Sequence, residues 1–295
     1  MPERGSPNLA RRQRLGKELR RLRERTTSMT GDEATTQLGW ASNSKLSRIE
    51  LGQTGVKPAD LQQILDLYGV SSEHRTELTA LAEESRRSGA APPAGIRLPE
   101  QHVALLEAQR DAQSIWLWAP QVIPGLFQTE EYARALLAAW VTEFALPPSN
   151  VDRLVQGRAL QEEVVLRRDP PPQVSMVLDE SVLLREVGGA DVMHGQLNHL
   201  AKATRQANVE IRILPLTGPH LETAGTFVYL KFPQIHRVPL QDTVFYDHLT
   251  GMEMLDDEGD VHQYSVIFKS LTRNALSLSK TRSHIVAAAD GQWRS

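Results

Sequence analysis

The chain has 295 residues, of which 40% are hydrophobic, with a formal net charge of −3 and no cysteine. Because a domain usually has ~100 to 200 residues, this length predicts two domains. The lack of cysteine excludes disulfides, thiolate catalysis and any zinc or iron–sulfur site with cysteine ligands. No apolar run reaches the ~18 residues of a membrane span, and the N-terminal segment lacks the apolar stretch of a signal peptide. We therefore expect a cytoplasmic protein.

The charges are divided unequally along the chain. Up to Pro58 there are 12 Lys and Arg against six Asp and Glu, whereas the remaining residues carry 21 against 30. A basic segment attracts phosphate and an acidic segment is repelled by it, so the two ends are expected to face different partners. An Arg-rich stretch can also be only the solvated face of a helix, and the neighbouring elements must decide between these interpretations.

Apolar spacing and capping residues predict five short helices in the N-terminal part of the chain. Leucines at helical spacing, with Arg and Lys on the other faces, predict the first helix. The second begins at Thr30, because Thr30 and Glu33 match a capping box. The fourth and fifth begin near Pro58 and Ser72. Residues 8–87 are therefore predicted to form an all-α domain.

The third helix is predicted over residues 43–51, after the tight turn LGWA. Leu46 and Ile49 lie three apart on its buried face. Two short helices joined by a glycine-containing turn, behind an Arg-rich helix, are typical of a helix-turn-helix. The residues on the outward side of the third helix are then the predicted base-reading residues: Asn43, Ser44, Ser47 and Arg48.

These residue types suit the edges of base pairs. Arg can pair bidentately with guanine and Asn with adenine, while Ser adapts to either. Residues that flank this side are predicted to contact phosphate, which sets affinity and salt dependence rather than the choice of sequence. The predicted phosphate contacts are Arg20, Thr30, Ser42, Lys45 and Lys57.

The composition changes over residues 88–99, where prolines and small residues replace the helical pattern, and we predict a linker there. Residues 100–290 then form a C-terminal domain, in which helical patterns and strand-like runs predict an α/β or α+β fold. The predicted helices cover 100–113, 129–145, 149–168, 191–206, 260–272 and 277–289. The predicted strands cover 174–178, 209–214, 226–232 and 243–246.

Two segments of the C-terminal domain allow more than one interpretation. PGLFQTEEY, from Pro124, is either a turn that delivers Leu126 and Phe127 to the core or the lining of a ligand or partner pocket, and we favour the turn. Trp116 and Trp118 alternate as on a strand, and we expect one on each side of it. One of them is then a core residue, and the other is open to an interface.

Nine histidines raise the question of a metal or catalytic site. His194 and His199 are five apart on a predicted helix, which does not place them on one face, and no HExxH spacing occurs. Other polar residues near strand ends are Asp179, Glu180, His220, Asp247 and His248. No nucleophile elbow or glycine-rich phosphate loop accompanies them, so we interpret them as caps and turns. We expect no metal, no cofactor and no enzyme activity.

The segment LGWASNSKLSRIELGQ resembles the helix-turn-helix of phage repressor and Cro-like (Cro/C1-type) regulators of the xenobiotic-response (XRE) family, over residues 15–70. In that family an Arg late in the first helix commonly pairs with a Glu that ends the recognition helix, and Arg23 and Glu50 stand at the matching places. The chain departs from the family at Gly31, where many relatives have a Gln that touches phosphate and supports the recognition helix. The resemblance implies a DNA-binding regulator of transcription.

The C-terminal part resembles a large group of actinobacterial regulators of the WhiJ-like type, over residues 105–288. The matching segments are VIPGLFQTEEYARALL, DES, VEIRILPLTGPH, GTFVYLKFP, TVFYDH and ALSLSKTRSHI. The resemblance implies a regulator encoded beside a small protein that binds and antagonises it, in an antitoxin-like pairing. It implies no defined chemistry for the domain itself.

These inferences combine into one expectation. A homodimer binds double-stranded DNA at an inverted-repeat operator, with one copy of the third helix in each of two successive major grooves. The C-terminal domain provides dimerisation and receives the control signal, from a small protein encoded nearby. The alternative is a C-terminal domain that senses a small molecule. Such a regulator works at the nucleoid and has no membrane partner.

Overall fold

The structure is a computed structural model that describes residues 9–86, 100–143, 149–217, 225–233, 242–248 and 251–294. These residues divide into two compact units. The N-terminal unit contains residues 9–86 and 100–108 with Pro233, and the C-terminal unit contains the others. The predicted linker over residues 88–99 and His220 lie outside the described residues. No described helix is long and apolar enough to cross a membrane.

The N-terminal unit contains the five helices that the sequence predicts. They are α1 (Leu9–Leu22), α2 (Gly31–Gln37), α3 (Asn43–Glu50), α4 (Pro58–Leu67) and α5 (Ser72–Arg86). A π-helical turn, Arg23–Thr27, continues α1. Inward-facing apolar residues of all five helices form one core, among them Leu15, Leu19, Ala34, Leu46, Ile49, Leu61, Ile64 and Leu78. The predicted all-α domain is confirmed.

Two glycines allow close packing of α1 against the end of α3. Gly52, just after α3, has a φ of +66°, which L side chains rarely adopt. A Cβ at Gly52 would also lie only 2.5 Å from the backbone nitrogen of Gln13 in α1. A Cβ at Gly16 would overlap the carbonyl oxygen of Ile49 in α3. The backbones of α1 and α3 therefore approach each other so closely that neither glycine can be replaced without movement.

The chain continues as a mixed α/β structure. Its helices are α6 (Glu100–Asp111), α7 (Glu130–Glu143), α8 (Ser149–Leu166), α9 (Ser181–Leu184), α10 (Ala190–Ala203), α11 (Glu258–Asn274) and α12 (Leu278–Gln292). Its strands are β1 (Ser114–Ala119), β2 (Gln173–Asp179), β3 (Val209–Leu214), β4 (Phe227–Lys231), β5 (Thr243–His248) and β6 (Gly251–Leu255). Residues 100–108 of α6 group with the N-terminal unit.

The six strands form one sheet in the order β3-β2-β1-β4-β5-β6. β1, β2 and β3 are parallel, whereas β4 is antiparallel to β1 and β5, and β6 is antiparallel to β5. Because β4 is antiparallel to both of its neighbours, β5 runs in the same direction as β1. The carboxyl ends of β1, β2, β3 and β5 therefore lie along the same edge of the sheet. The predicted combination of an all-α domain with an α/β or α+β domain is confirmed.

Both tryptophans of β1 lie on the face that α11 covers. The Trp116 ring stacks on Phe268 of α11, with 4.9 Å between the ring centroids. Trp118 is 2% exposed and belongs to the same apolar cluster. The expectation that one tryptophan faces each side was wrong, because residues two apart on a strand point to the same face. The expectation of a tryptophan available to an interface is not met either, because Trp116 is half-buried beneath α11.

Candidate nucleic-acid interface

The third helix, α3, has one buried side and one accessible side. Leu46 and Ile49 are 0% and 3% exposed and belong to the core of the N-terminal unit. On the other side Ser44 and Arg48 are exposed, and Asn43 and Ser47 are half-buried. Positions i, i+1, i+4 and i+5 share one side of a helix, so these four side chains form one continuous surface strip, here called the α3 strip.

A buried ion pair holds the carboxyl end of α3. Arg23 donates from Nε to Oε1 of Glu50 at 2.7 Å and from Nη2 to Oε2 at 2.8 Å. Its Nη1 donates to the carbonyl oxygen of Met29 at 2.8 Å. The hydrogen bond to Glu50 raises the pKa of Arg23, and the parallel bonds fix both side chains in one geometry. The two residues that the family resemblance pairs therefore tie α3 to the π-helical turn after α1.

Tyr68, which the sequence analysis did not single out, lies just after α4 in the same region. Its side chain is 1% exposed, and burial raises the pKa of its hydroxyl, with the charge of Glu50 adding to the effect. Among the described residues, the Tyr68 hydroxyl has no hydrogen-bond partner. It is a neutral, buried neighbour of the ion pair.

At its amino end, α3 contacts the first residue of α2. A Cβ at Gly31 would lie 2.7 Å from both Oδ1 and Nδ2 of Asn43, so the Asn43 amide occupies the space above Gly31. Thr30 caps α2: its Oγ1 accepts from the backbone N–H of Glu33, whose carboxylate accepts from the Thr30 N–H at 2.7 Å. This backbone hydrogen bond lowers the pKa of Glu33. The predicted phosphate contact Thr30 therefore also has a capping role.

The predicted phosphate-binding cations are not equivalent. Arg20 is exposed and donates from Nε to Glu24 at 2.8 Å, which lowers the pKa of Glu24. Lys57 is exposed and precedes α4, and in the described part of the chain no carboxylate pairs with it. Ser42 is exposed at the amino end of α3, and its hydroxyl makes no capping hydrogen bond. Lys57 and Ser42 are therefore the predicted phosphate contacts whose side chains form no bond with another described residue.

Lys45, in contrast, is held by neighbours that the sequence analysis missed. Its Nζ donates to Asp60 of α4 at 2.6 Å and lies 3.9 Å from the centroid of the Trp40 ring. Asp60 is a first-turn residue of α4, and Trp40 belongs to the turn between α2 and α3. The Lys45 ammonium thus connects three elements and is partly neutralised where it lies.

The strand-end residues of the C-terminal unit serve as caps and connections. Asp179 accepts from the backbone N–H of Ser181 at 2.9 Å. Glu180 accepts from the backbone N–H of Leu216 at 2.7 Å, and its other oxygen lies 2.7 Å from Nε2 of His284. Among the described residues, no group of His, Asp and Glu has the arrangement of a metal site.

Two family models match the chain. Residues 14–78 match a helix-turn-helix domain, which includes α2, α3 and their turn. Residues 103–286, more than half of the chain, match the family described as Domain of unknown function (DUF5753). The chain belongs to the DUF5753 family. No curated protein and no solved structure matches it significantly.

This DUF5753 protein therefore combines a DNA-binding helix-turn-helix with a C-terminal domain whose activity the family description leaves open. The helix-turn-helix match assigns it to the DNA-binding regulators. The matched residues include α3 and all four positions of the α3 strip.

Proposed function

We propose that the protein is a sequence-specific, homodimeric regulator of transcription of the XRE (Cro/C1) type, in which α3 enters the major groove. The observation that carries the proposal is the α3 strip, a continuous polar surface on a helix whose opposite side is fully buried. A recognition helix needs such a rigid support, because small errors in its placement break the hydrogen bonds to base edges. The Arg23–Glu50 pair and the close contact between α1 and α3 supply that rigidity.

Within the α3 strip, Arg48 and Asn43 are the strongest candidates for bidentate recognition. The guanidinium of Arg48 is exposed, and its Nε donates to the Ser44 carbonyl oxygen at 3.2 Å, which orients the side chain along the helix. Asn43 lies at the amino end of α3, where side chains of a recognition helix reach bases. Ser44 and Ser47 complete the base-reading set. Phosphate contacts from Arg20, Thr30, Ser42, Lys45 and Lys57 set the register of the helix on the duplex.

The experiment that tests this proposal is selection of bound duplexes from a random DNA library by the full chain. We expect an inverted repeat whose half-sites are ~34 Å, or one helical turn, apart. The same selection with Arg48→Ala must lose a guanine preference in both half-sites. A selected pool without a shared motif, or an unchanged motif in the variant, contradicts the proposal.

For the C-terminal domain, we propose a role in dimerisation and in control by a small antagonist protein encoded nearby, in an antitoxin-like pairing typical of actinobacterial regulators. The support is the resemblance of the C-terminal segments and the acidic balance of the chain beyond Pro58, which disfavours contact with DNA. We propose no enzyme activity for this domain. The test is co-purification of the full chain with the product of the neighbouring gene, and release of operator DNA when that product is added.

A small-molecule signal is the second candidate for control of this domain. A specific observation favours it: Arg158 of α8 lies against the PGLF turn, and its side chain forms no ion pair among the described residues.

A further inference from the structure

The C-terminal unit contains a second candidate site, which does not depend on the DNA-binding proposal. In the sheet, β2 and β3 extend to one side of β1, and the chain then returns to the other side of β1 as β4. The strand order therefore changes sides at β1, whose carboxyl end lies beside the antiparallel strand β4. Open sheets bind ligands beyond the carboxyl ends of their parallel strands at such points. The segment that follows the carboxyl end of β1 is the PGLF turn, with its 3-10 helix Gly125–Phe127.

Arg158 of α8 lies directly on the PGLF turn. A Cβ at Gly125 would lie 2.5 Å from Nη1, 2.6 Å from Cδ and 2.7 Å from Cζ of Arg158. The guanidinium therefore packs on the bare backbone of the glycine. Leu126 and Phe127 are 2% and 1% exposed, so the turn itself is anchored in the core. The turn and the ligand-pocket interpretations of this segment are thus compatible, because its apolar residues point inward while Gly125 faces Arg158.

The charge of Arg158 has no bonded partner in the described part of the chain. Its Nε is buried without a hydrogen bond, and no carboxylate lies within ion-pair distance of the side chain. Burial lowers the pKa of Arg158, an effect that the charge of Asp247 opposes. Arg158 as a whole is half-buried, and its Nε has lost contact with water without gaining a hydrogen bond, which costs free energy unless another group binds there.

Asp247 lies at the carboxyl end of β5, on the edge of the sheet where β1 ends. Val244 and Tyr246 belong to the cluster under α11, so Asp247 points to the opposite face. Asp247 is exposed, but partial loss of hydration raises its pKa, and the charge of Arg158 opposes that rise. The two opposite charges are therefore close enough to interact electrostatically, without a direct ion pair in the described structure.

We propose that Arg158, Gly125 and Asp247 form a binding site for a small organic anion, a carboxylate or a phosphate that also carries an amino or hydroxyl group. The guanidinium presents two parallel N–H donors to the anionic oxygens. The absence of a side chain at Gly125 lets the guanidinium lie flat against the turn. Asp247 accepts a hydrogen bond from the amino or hydroxyl group of the ligand.

Titration of the full chain by NMR, with ¹⁵N-labelled arginine side chains, tests the site. The probes are inorganic phosphate, acetate and glycine at constant ionic strength, and the Arg158 Nε–H signal is assigned from its loss in Arg158→Met. We expect saturable movement of this signal with phosphate or acetate, which identifies the preferred anion. Glycine should bind more tightly than acetate, and Asp247→Asn should remove that advantage. No saturable movement with any probe, or equal affinity for glycine and acetate, overturns the assignment.

A stability measurement separates a binding role from a structural one. Arg158→Met removes a half-buried charge that has no ion-pair partner among the described residues, at similar side-chain length. We therefore expect a higher Tm without ligand and no increase of Tm with phosphate or acetate. Arg167→Met is the matched control, because Arg167 is exposed and pairs with Glu162 and Glu163 at 3.4 and 3.3 Å. It should retain the wild-type response. A lower Tm for unliganded Arg158→Met contradicts the proposal, and since neither readout uses DNA, that result leaves the DNA-binding proposal standing.

Discussion

Arg48 is the exposed cation of the α3 strip. Its guanidinium is exposed and has only the Ser44 carbonyl oxygen as a hydrogen-bond partner in the described part of the chain. We expect Arg48→Ala to reduce the preference for the selected operator over a guanine-substituted one by about 1 to 3 kcal/mol. Gel-shift affinities for the two duplexes measure this difference.

Lys57→Ala is the contrasting change. In the part of the chain that the structure describes, no carboxylate pairs with the exposed ammonium of Lys57. We expect the loss of its proposed phosphate contact to weaken binding to all duplexes alike. The slope of log affinity against log salt should become shallower by about 1. If Lys57→Ala changed the preference between duplexes, or Arg48→Ala weakened all of them equally, the division into base and phosphate contacts would be wrong.

Gly31 determines where the Asn43 amide lies. A Cβ at Gly31 would be 2.7 Å from both polar atoms of the amide, so Gly31→Ala must move the Asn43 side chain. We expect this variant to change the base preferred opposite Asn43 without lowering Tm, because alanine favours a helix more than glycine does. Selection and thermal unfolding measure the two effects.

A double-mutant cycle controls this interpretation. In an Asn43→Ala background, Gly31→Ala should have no further effect on base preference, since no amide remains to be displaced. If Gly31→Ala changes base preference equally in both backgrounds, its effect does not arise from displacement of the Asn43 amide.

At the scale of elements, the Arg23–Glu50 pair decides how firmly α3 is held. Both side chains are about nine-tenths buried, with 9% and 8% exposed. Glu50→Gln should destabilise the N-terminal unit by about 3 to 5 kcal/mol, because it leaves the Arg23 charge uncompensated. Denaturant unfolding of the full chain measures the loss. The double variant Arg23→Met/Glu50→Leu should recover much of the lost unfolding free energy. If it does not, Glu50 has a structural role besides its pairing with Arg23.

The ion pair between Lys45 of α3 and Asp60 of α4 bears on the proposed phosphate contact of Lys45. Asp60 holds the Lys45 ammonium at 2.6 Å, so Asp60→Asn should free it for phosphate. We expect higher affinity for all duplexes and a salt slope steeper by about 1. Asp66→Asn on the same helix is the control, because it removes the same charge from a residue that pairs with Arg75 instead. If both variants gain equally, net charge explains the effect and the Lys45 contact does not.

Local signals explain why the helices of the N-terminal unit could be predicted. A capping box at Thr30, left-handed glycines and apolar spacing act within a few residues of the element that they define. β6 was missed because its pairing with β5 is a contact that no periodicity in Gly251–Leu255 indicates. The roles of Lys45 and Arg158 were also beyond prediction, since they depend on residues distant in sequence, Asp60 and Gly125.

At the scale of the whole molecule, a homodimer predicts a fixed spacing between half-sites. Inserting about 5 base pairs between the half-sites of the selected operator turns them to opposite sides of the duplex, whereas about 10 base pairs restores their alignment. We expect the first insertion to abolish tight binding by the full chain and the second to restore part of it. A response that does not depend on the turn of the helix excludes two rigidly joined copies of α3.

The close approach of α1 to α3 restricts how related regulators acquire new operators. With Gly16 and Gly52 leaving no gap between the two backbones, α3 has no room to move closer to α1. We therefore expect a change of operator preference to arise from exchange of side chains on α3, with its backbone in the same place. Divergent members that retain both glycines should therefore differ in operator according to the residues at positions 43, 44, 47 and 48, and transplanting those four should transfer the preference.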